Sequence, residues 1–297
     1  MYGSRNPRPP LPRALAGLLG AVLAAAACWI AKPFGKDRAV QALPEEGTAL
    51  PAVMYHNVLP DGSGGLGDYV ISASELEGDL QFLRDAGYTG VTPREVFDAV
   101  RGVGSLPEHP VLLTFDDGFE SMEQVVLPLL RQYGFRAAAA IVGEYTDLYS
   151  GDVPRQLSYS HLSWDQARAL EESGLVEIAS HTYALHSLEG RKGMKKRPGE
   201  TPEAYRRALS EDLLLLQEKC RDHLGREPAA LVYPYGFYNR ETEDLARELG
   251  FSLTLTCEEG VSVITDKESL FGLKRWNRPH GADRQEFFQK LGICGSR

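Results

Sequence analysis

Eight short apolar runs recur along this chain, with amphipathic helical patterns between them, and that alternation limits the folds open to it more than any other feature. The runs are 52–56 (AVMYH), 88–91 (YTGV), 111–115 (VLLTF), 137–142 (AAAAIV), 176–180 (VEIAS), 230–234 (ALVYP), 252–256 (SLTLT) and 273–276 (LKRW). They are too short for helices and read as strands buried on both faces. Between them, Ser72 with Glu75, Thr92 with Pro93 and Glu95, and Ser163 with Gln166 have the spacing of helix starts. Gly87, Gly134, Gly174, Gly225 and Gly250 stand where helices would stop. Strands buried by helices on the outside are parallel strands. About eight such units in ~250 residues predict a closed or nearly closed (β/α) barrel as one domain, 48–297. No internal repeat of fixed period competes with this reading.

The other end of the chain has a different character. Arg5, Arg8 and Arg13 precede an uncharged stretch at 14–31, ALAGLLGAVLAAAACWIA, and Lys32 and Lys36 follow it. At 1.5 Å per residue that stretch reaches roughly 27 Å, enough to cross a hydrocarbon core. It reads as a signal-anchor or a cleaved signal peptide; a third reading, a lipoprotein signal acylated at Cys28, has Ala25 where leucine is usual. Trp29, near the outer edge, favours a retained transmembrane helix. Positive charge ahead of the span puts 1–13 in the cytoplasm, makes 32–47 a linker, and places the barrel outside the cytoplasm, anchored to the membrane or secreted.

A net charge of −9 argues against a nucleic-acid partner. Basic residues concentrate only at 191–200, RKGMKKRPGE. This segment reads as a solvated loop, with contact to an anionic wall polymer or a lipid head group as the alternative. Cys220, Cys257 and Cys294 lack metal-type spacing and imply no disulfide framework.

In a (β/α) barrel, chemistry sits at the carboxyl ends of the strands, and the reactive residues of this chain fall there. Asp116 and Asp117 follow the third run. A carboxylate at a buried strand end costs several kcal/mol unless its charge is held. Neighbours on an extended chain point to opposite sides, so the two acids can divide the work, one holding a metal and the other handling a proton. Taken alone, Asp-Asp-Gly suits a helix start equally well. His181 and His186 follow the fifth run. In a helix a five-residue step would separate the two rings by about 140°, whereas a strand end and the loop after it let them converge. Two imidazoles and a carboxylate form a three-ligand set for one divalent ion, Zn²⁺ or alternatively Co²⁺, Ni²⁺ or Mn²⁺, with a position left open. His56 ends the first run and offers a general acid. Tyr233, Pro234 and Tyr235 form a loop at another strand end and offer an aromatic wall.

Together, TFDDG at 114–118, SHTYALH at 180–186 and YPYG at 233–236 resemble the polysaccharide deacetylase (NodB-homology) family, carbohydrate esterase family 4, over roughly residues 50 to 280. The resemblance implies a distorted barrel of about seven to eight parallel strands. It also implies that Asp116 is the catalytic base and that Asp117 binds the metal with His181 and His186. Most members space these histidines by four; the spacing of five resembles the poly-N-acetylglucosamine deacetylase-like branch, in which a histidine matching His56 is the catalytic acid. Where most members carry an arginine that orients the base, this chain has Val232, and Arg275 in LKRWNR is the candidate to replace it. The late leucine-x-x-histidine motif is not recognisable.

The expected reaction is removal of N-acetyl groups from N-acetylglucosamine residues of a cell-wall polymer or exopolysaccharide. The Tyr235 amide would hold the oxyanion, and Tyr235 and Leu185 would lie against the acetyl methyl. Two other functions fit the same residues: an O-acetyl esterase acting on a wall polymer, and a membrane-tethered glycan-binding protein without catalysis.

Overall fold

Six consecutive buried residues, Pro110–Phe115, form the middle of the fold. The computed structural model describes residues 47–295. In chain order the strands are β1 (Thr48–Leu50), β2 (Ala52–Tyr55), β3 (Asn57–Leu59), β4 (Val70–Ser72), β5 (Thr89–Val91), β6 (Pro110–Phe115), β7 (Ala137–Ile141), β8 (Val176–Ser180), β9 (Ala230–Val232), β10 (Leu253–Leu255), β11 (Ser262–Ile264) and β12 (Trp276–Asn277). The α-helices are α1 (Ala73–Asp85), α2 (Pro93–Val100), α3 (Leu127–Tyr133), α4 (Gly143–Tyr149), α5 (Trp164–Glu172), α6 (Pro202–Leu224), α7 (Arg240–Glu248) and α8 (Arg284–Lys290).

Seven strands follow one another in the order β10, β9, β8, β7, β6, β2, β12, and β5 adds to β6. Every pair in this sheet is parallel. A parallel bridge from Leu255 to Leu273 brings the stretch leading into β12 beside β10, so the sheet curls into a half-barrel. All eight runs read from the sequence contribute to it, the last shifting from 273–276 to Trp276–Asn277. Two small ribbons, β1 with β11 and β3 with β4, were not anticipated. Ser72, Thr92 and Ser163 each close a reciprocal capping box at the start of α1, α2 and α5, as their spacing predicted.

Alternation along the strands separates two layers. Val111, Leu113 and Phe115 pack with Ala137, Ala139 and Ile141 against Leu76, Leu80, Leu130 and Leu170 of the surrounding helices. Leu112, Ala140, Ala179, Ala230 and Val232 share a separate inner cluster. Thr114 and Asp116 continue the inward parity of Leu112, as His181 continues that of Ala179. The small inner side chains leave space for longer ones at the mouth. Register aligns the strand ends: Tyr55 lies beside Phe115, Phe115 beside Ala139, Ile141 beside Ser180, and Ser180 beside Leu231. The residues after these ends therefore gather at one rim.

The expected span at 14–31, its flank 1–13 and all but the last residue of the 32–47 linker lie outside the described residues. Among the described residues no helix is long and apolar enough to cross a membrane. The basic segment at 191–200 is not simply a solvated loop. Arg191 is buried and pairs with Glu200, Met194 is buried and its carbonyl accepts from the Tyr205 hydroxyl, while Lys192, Lys195, Lys196 and Arg197 face solvent with Pro198 and Gly199.

Candidate active site

At the end of β6 the inward parity carries Asp116 into the barrel mouth, where it meets Arg275, and both side chains are buried. Two guanidinium nitrogens donate to its two oxygens at 2.7 and 2.9 Å. Arg275 is itself fixed, donating to the Thr114 hydroxyl at 2.9 Å and to the Thr256 carbonyl at 2.8 Å. Burial alone would raise the pKa of Asp116, but the guanidinium, followed by the His181 imidazole, holds it below the usual value. A buried carboxylate thus stays ionised at the strand ends.

Asp117 would point toward the helices if the strand simply continued. Its φ of 70° turns it back over the mouth, and Gly118 follows with φ 68°, where a β-carbon would press within 3.1 Å of the Ile141 backbone. His161, which the sequence reading passed over, donates from Nδ1 to the Asp117 carbonyl at 2.8 Å and so secures this turn. Its only signal was a histidine before a capping serine in SHLSW. Asp117, Thr182 and Tyr235 are the non-glycine residues with positive φ among the described residues, and all three belong to this rim. Such strain persists where the surroundings over-determine it.

Asp117 Oδ1 lies 3.5 Å from His181 Nε2 and 3.1 Å from His186 Nε2, yet it is buried and accepts no hydrogen bond. The other nitrogen of each ring is engaged. His181 Nδ1 donates to the Val232 carbonyl at 2.8 Å, and His186 Nδ1 lies 3.4 Å from the Tyr235 hydroxyl. Val232, where the resemblance led to an expected arginine, thus orients a histidine through its backbone. Three ligand atoms from Asp117, His181 and His186 lie within 4.8 Å of one another. Outward-held Nε2 atoms and an orphaned carboxylate oxygen fit a divalent cation. Burial opposes the charge of Asp117, but the two imidazoles beside it hold its pKa well below the carboxylate range.

His56 stands on the far side of β6, at the end of β2, with Nδ1 buried and unpartnered and the exposed Tyr69 edge-on at 4.7 Å. Burial pushes its pKa down, while the Asp116 and Asp117 carboxylates oppose the shift. On the other side the Tyr235 ring lies 4.7 Å from that of His186, carried by the short 3₁₀ turn Pro234–Gly236.

One wall residue expected from the sequence is placed elsewhere. Tyr233 is 0% exposed and stacks on Tyr238 at 4.8 Å, because Val232 takes the inward position and alternation turns the next residue outward. Leu185 packs against the same outer cluster as Tyr233.

Comparison with known proteins gives a consistent result. A profile of the family described as polysaccharide deacetylase matches residues 104–254, which include the aspartates, both histidines and the Tyr235 turn. The poly-β-1,6-N-acetyl-D-glucosamine N-deacetylase of Escherichia coli K12 is 28% identical over 260 residues, covering 81% of this chain. The chain spans only 38% of that relative's length. The enzyme of the same name from Staphylococcus epidermidis is 24% identical over 72% of this chain and 74% of its own length. Among solved structures, a de-N-acetylase from Aggregatibacter actinomycetemcomitans superposes with a TM-score of 0.70 at 26% identity, covering 82% of this chain and 100% of that one. IcaB from Ammonifex degensii gives 0.65 at 28% identity, covering 85% and 99%. With its barrel, its rim of acids and histidines and this profile match, the chain belongs to the polysaccharide deacetylase family.

Proposed function

We propose that the chain is a metal-dependent hydrolase that removes N-acetyl groups from N-acetylglucosamine residues of an extracytoplasmic polysaccharide, with a poly-β-1,6-linked polymer as the leading substrate. The observation that carries this reading is the pairing of two carboxylates in different states at one rim. Asp116 is ion-paired with Arg275, and Asp117 is orphaned between two imidazoles. The names of the relatives support the substrate class. The arginines ahead of 14–31 support the location.

Asp117, His181 and His186 would hold the cation, which when bound supplies Lewis-acid polarisation of the acetyl carbonyl and a more acidic water. Asp116, kept ionised by Arg275, takes a proton from the attacking water as its oxygen bonds to the carbonyl carbon. The Tyr235 backbone N–H donates to the carbonyl oxygen as negative charge gathers there, and the Tyr235 ring shields the acetyl methyl from water. His56, in its protonated form, gives a proton to the sugar nitrogen as the C–N bond breaks, leaving acetate and a free amine. Acetate release by the purified chain from β-1,6- and β-1,4-linked N-acetylglucosamine oligomers and from peptidoglycan, with and without added Zn²⁺, tests the reading. Turnover that persists after chelation and dialysis defeats its metal part.

A further inference from the structure

The loop between the two candidate metal histidines leaves no backbone donor unanswered. The His181 N–H donates to the Ile141 carbonyl at 2.9 Å, and that of Thr182 to the Ser180 hydroxyl at 3.3 Å. Tyr183 and Ala184 donate to the two oxygens of a single carboxylate, Asp212, each at 2.8 Å. Leu185 donates to the Thr182 hydroxyl at 3.2 Å. Asp212 belongs to α6, nearly thirty residues downstream, and neither the sequence motifs nor the reaction described above gives it a task.

The loop needs such a hold. Thr182 has φ 70°, a strained conformation for a β-branched residue. The step from His181 to His186 leaves four residues to reverse the chain, and the carboxylate takes the middle two. If Asp212 lets go, Tyr183 and Ala184 lose their acceptors; the Thr182 and Tyr183 carbonyls still accept from Gly143 and Glu144 at 3.1 and 2.8 Å, so the slack falls on the stretch after Tyr183. His186 ends that stretch, whereas His181 is tied independently to its strand neighbour and to Val232. The expected consequence is selective: His186 moves away from Asp117 while His181 stays.

We infer that Asp212 is a positioning residue for the metal site, clamping the loop so that His186 stays within reach of Asp117 and His181. The inference rests on the metal reading of that site. It also accounts for how this chain accommodates a five-residue spacing, since the clamp holds the loop between the ligands by its backbone.

The test uses the full-length chain freed of metal, at pH 8, where Asp212 is ionised even though burial pushes it up to about 6. Zn²⁺ affinity is read by competition with a chromophoric chelator, and ligand geometry by the visible spectrum of bound Co²⁺. Asp212→Ala should weaken Zn²⁺ binding about 10- to 100-fold and alter the Co²⁺ spectrum. Asp212→Asn, which keeps one acceptor oxygen, should fall between Asp212→Ala and wild type. A purely structural role would lower thermal stability and leave both readouts unchanged, and that result overturns the inference. If Asp212→Ala does not fold, Asp212→Asn decides: weakened binding supports the clamp and wild-type affinity overturns it. A wild-type chain that binds no divalent ion would sink the metal reading itself, a failure distinct from variants that bind as the wild type does.

Discussion

Arg275 grips Asp116 with two hydrogen bonds of 2.7 and 2.9 Å across 159 positions of sequence. Both groups are buried, and each is the main opposite charge that keeps the other ionised at low cost. Replacing Arg275 with Gln leaves the carboxylate buried without a counter-charge, and its pKa must rise. The base is then ionised only at higher pH, so the acid limb of the rate profile for acetate release should move upward by about one unit or more. Turnover at neutral pH should also fall, by about 10²-fold, because the carboxylate loses the fork that aims it. Arg275→Lys keeps the charge but loses the fork, and should lie between. An unshifted acid limb in Arg275→Gln would remove Asp116 as the titrating base.

The two aspartates should separate cleanly in their metal content. Asp117→Ala, His181→Ala and His186→Ala each remove one of three clustered donors, and after dialysis each should retain little zinc by elemental analysis and release no acetate. Asp116→Asn should hold zinc as the wild type does and still lose about 10²–10⁴ in rate. If Asp116→Asn also lost its metal, the assignment of roles within the pair would be reversed.

A third expectation concerns stability. Asp79 is fully buried on α1 between Arg278, at 2.9 and 3.2 Å, and Arg284, at 2.8 Å, with the Tyr55 hydroxyl at 3.2 Å. This cluster ties α1 to β2 and to the chain after β12. Asp79→Ala strands the buried Arg278 guanidinium and should cost about 3–5 kcal/mol, read as a lower urea midpoint. Zinc affinity should change little, because none of these groups touches Asp117, His181 or His186.

The barrel was legible because its signals are local. Strand length, apolar character on both faces and the three capping boxes lie within a few residues of one another. The site was legible as residue types at strand ends, and less so as directions. Tyr233 was read inward because it adjoins Pro234 and Tyr235, but parity is set by Val232 facing the inner cluster. Asp117 and Tyr235 reach the rim through positive φ, which no residue type announces. Arg275 could be named from the absence of an arginine at Val232, although its forked contact depends on β12 lying beside β2. Asp212 and His161 act on backbone atoms, and such contacts leave no motif.

His56 separates amide from ester chemistry. Burial pushes its pKa down, so at neutral pH most of the imidazole is unprotonated, and the protonated fraction shrinks further as pH rises. An amine leaves an acyl carbon only once its nitrogen is protonated; an activated ester such as p-nitrophenyl acetate has no such need. Amide turnover should therefore decline with rising pH before ester turnover does. His56→Ala should lower acetate release from N-acetylglucosamine oligomers by about 10²–10⁴ and p-nitrophenyl acetate hydrolysis by far less. Equal losses on both substrates would mean that His56 orients the substrate rather than supplying the proton. No loss on either would transfer the acid's role to another group and favour an O-acetyl ester as the bond this site is built to cleave.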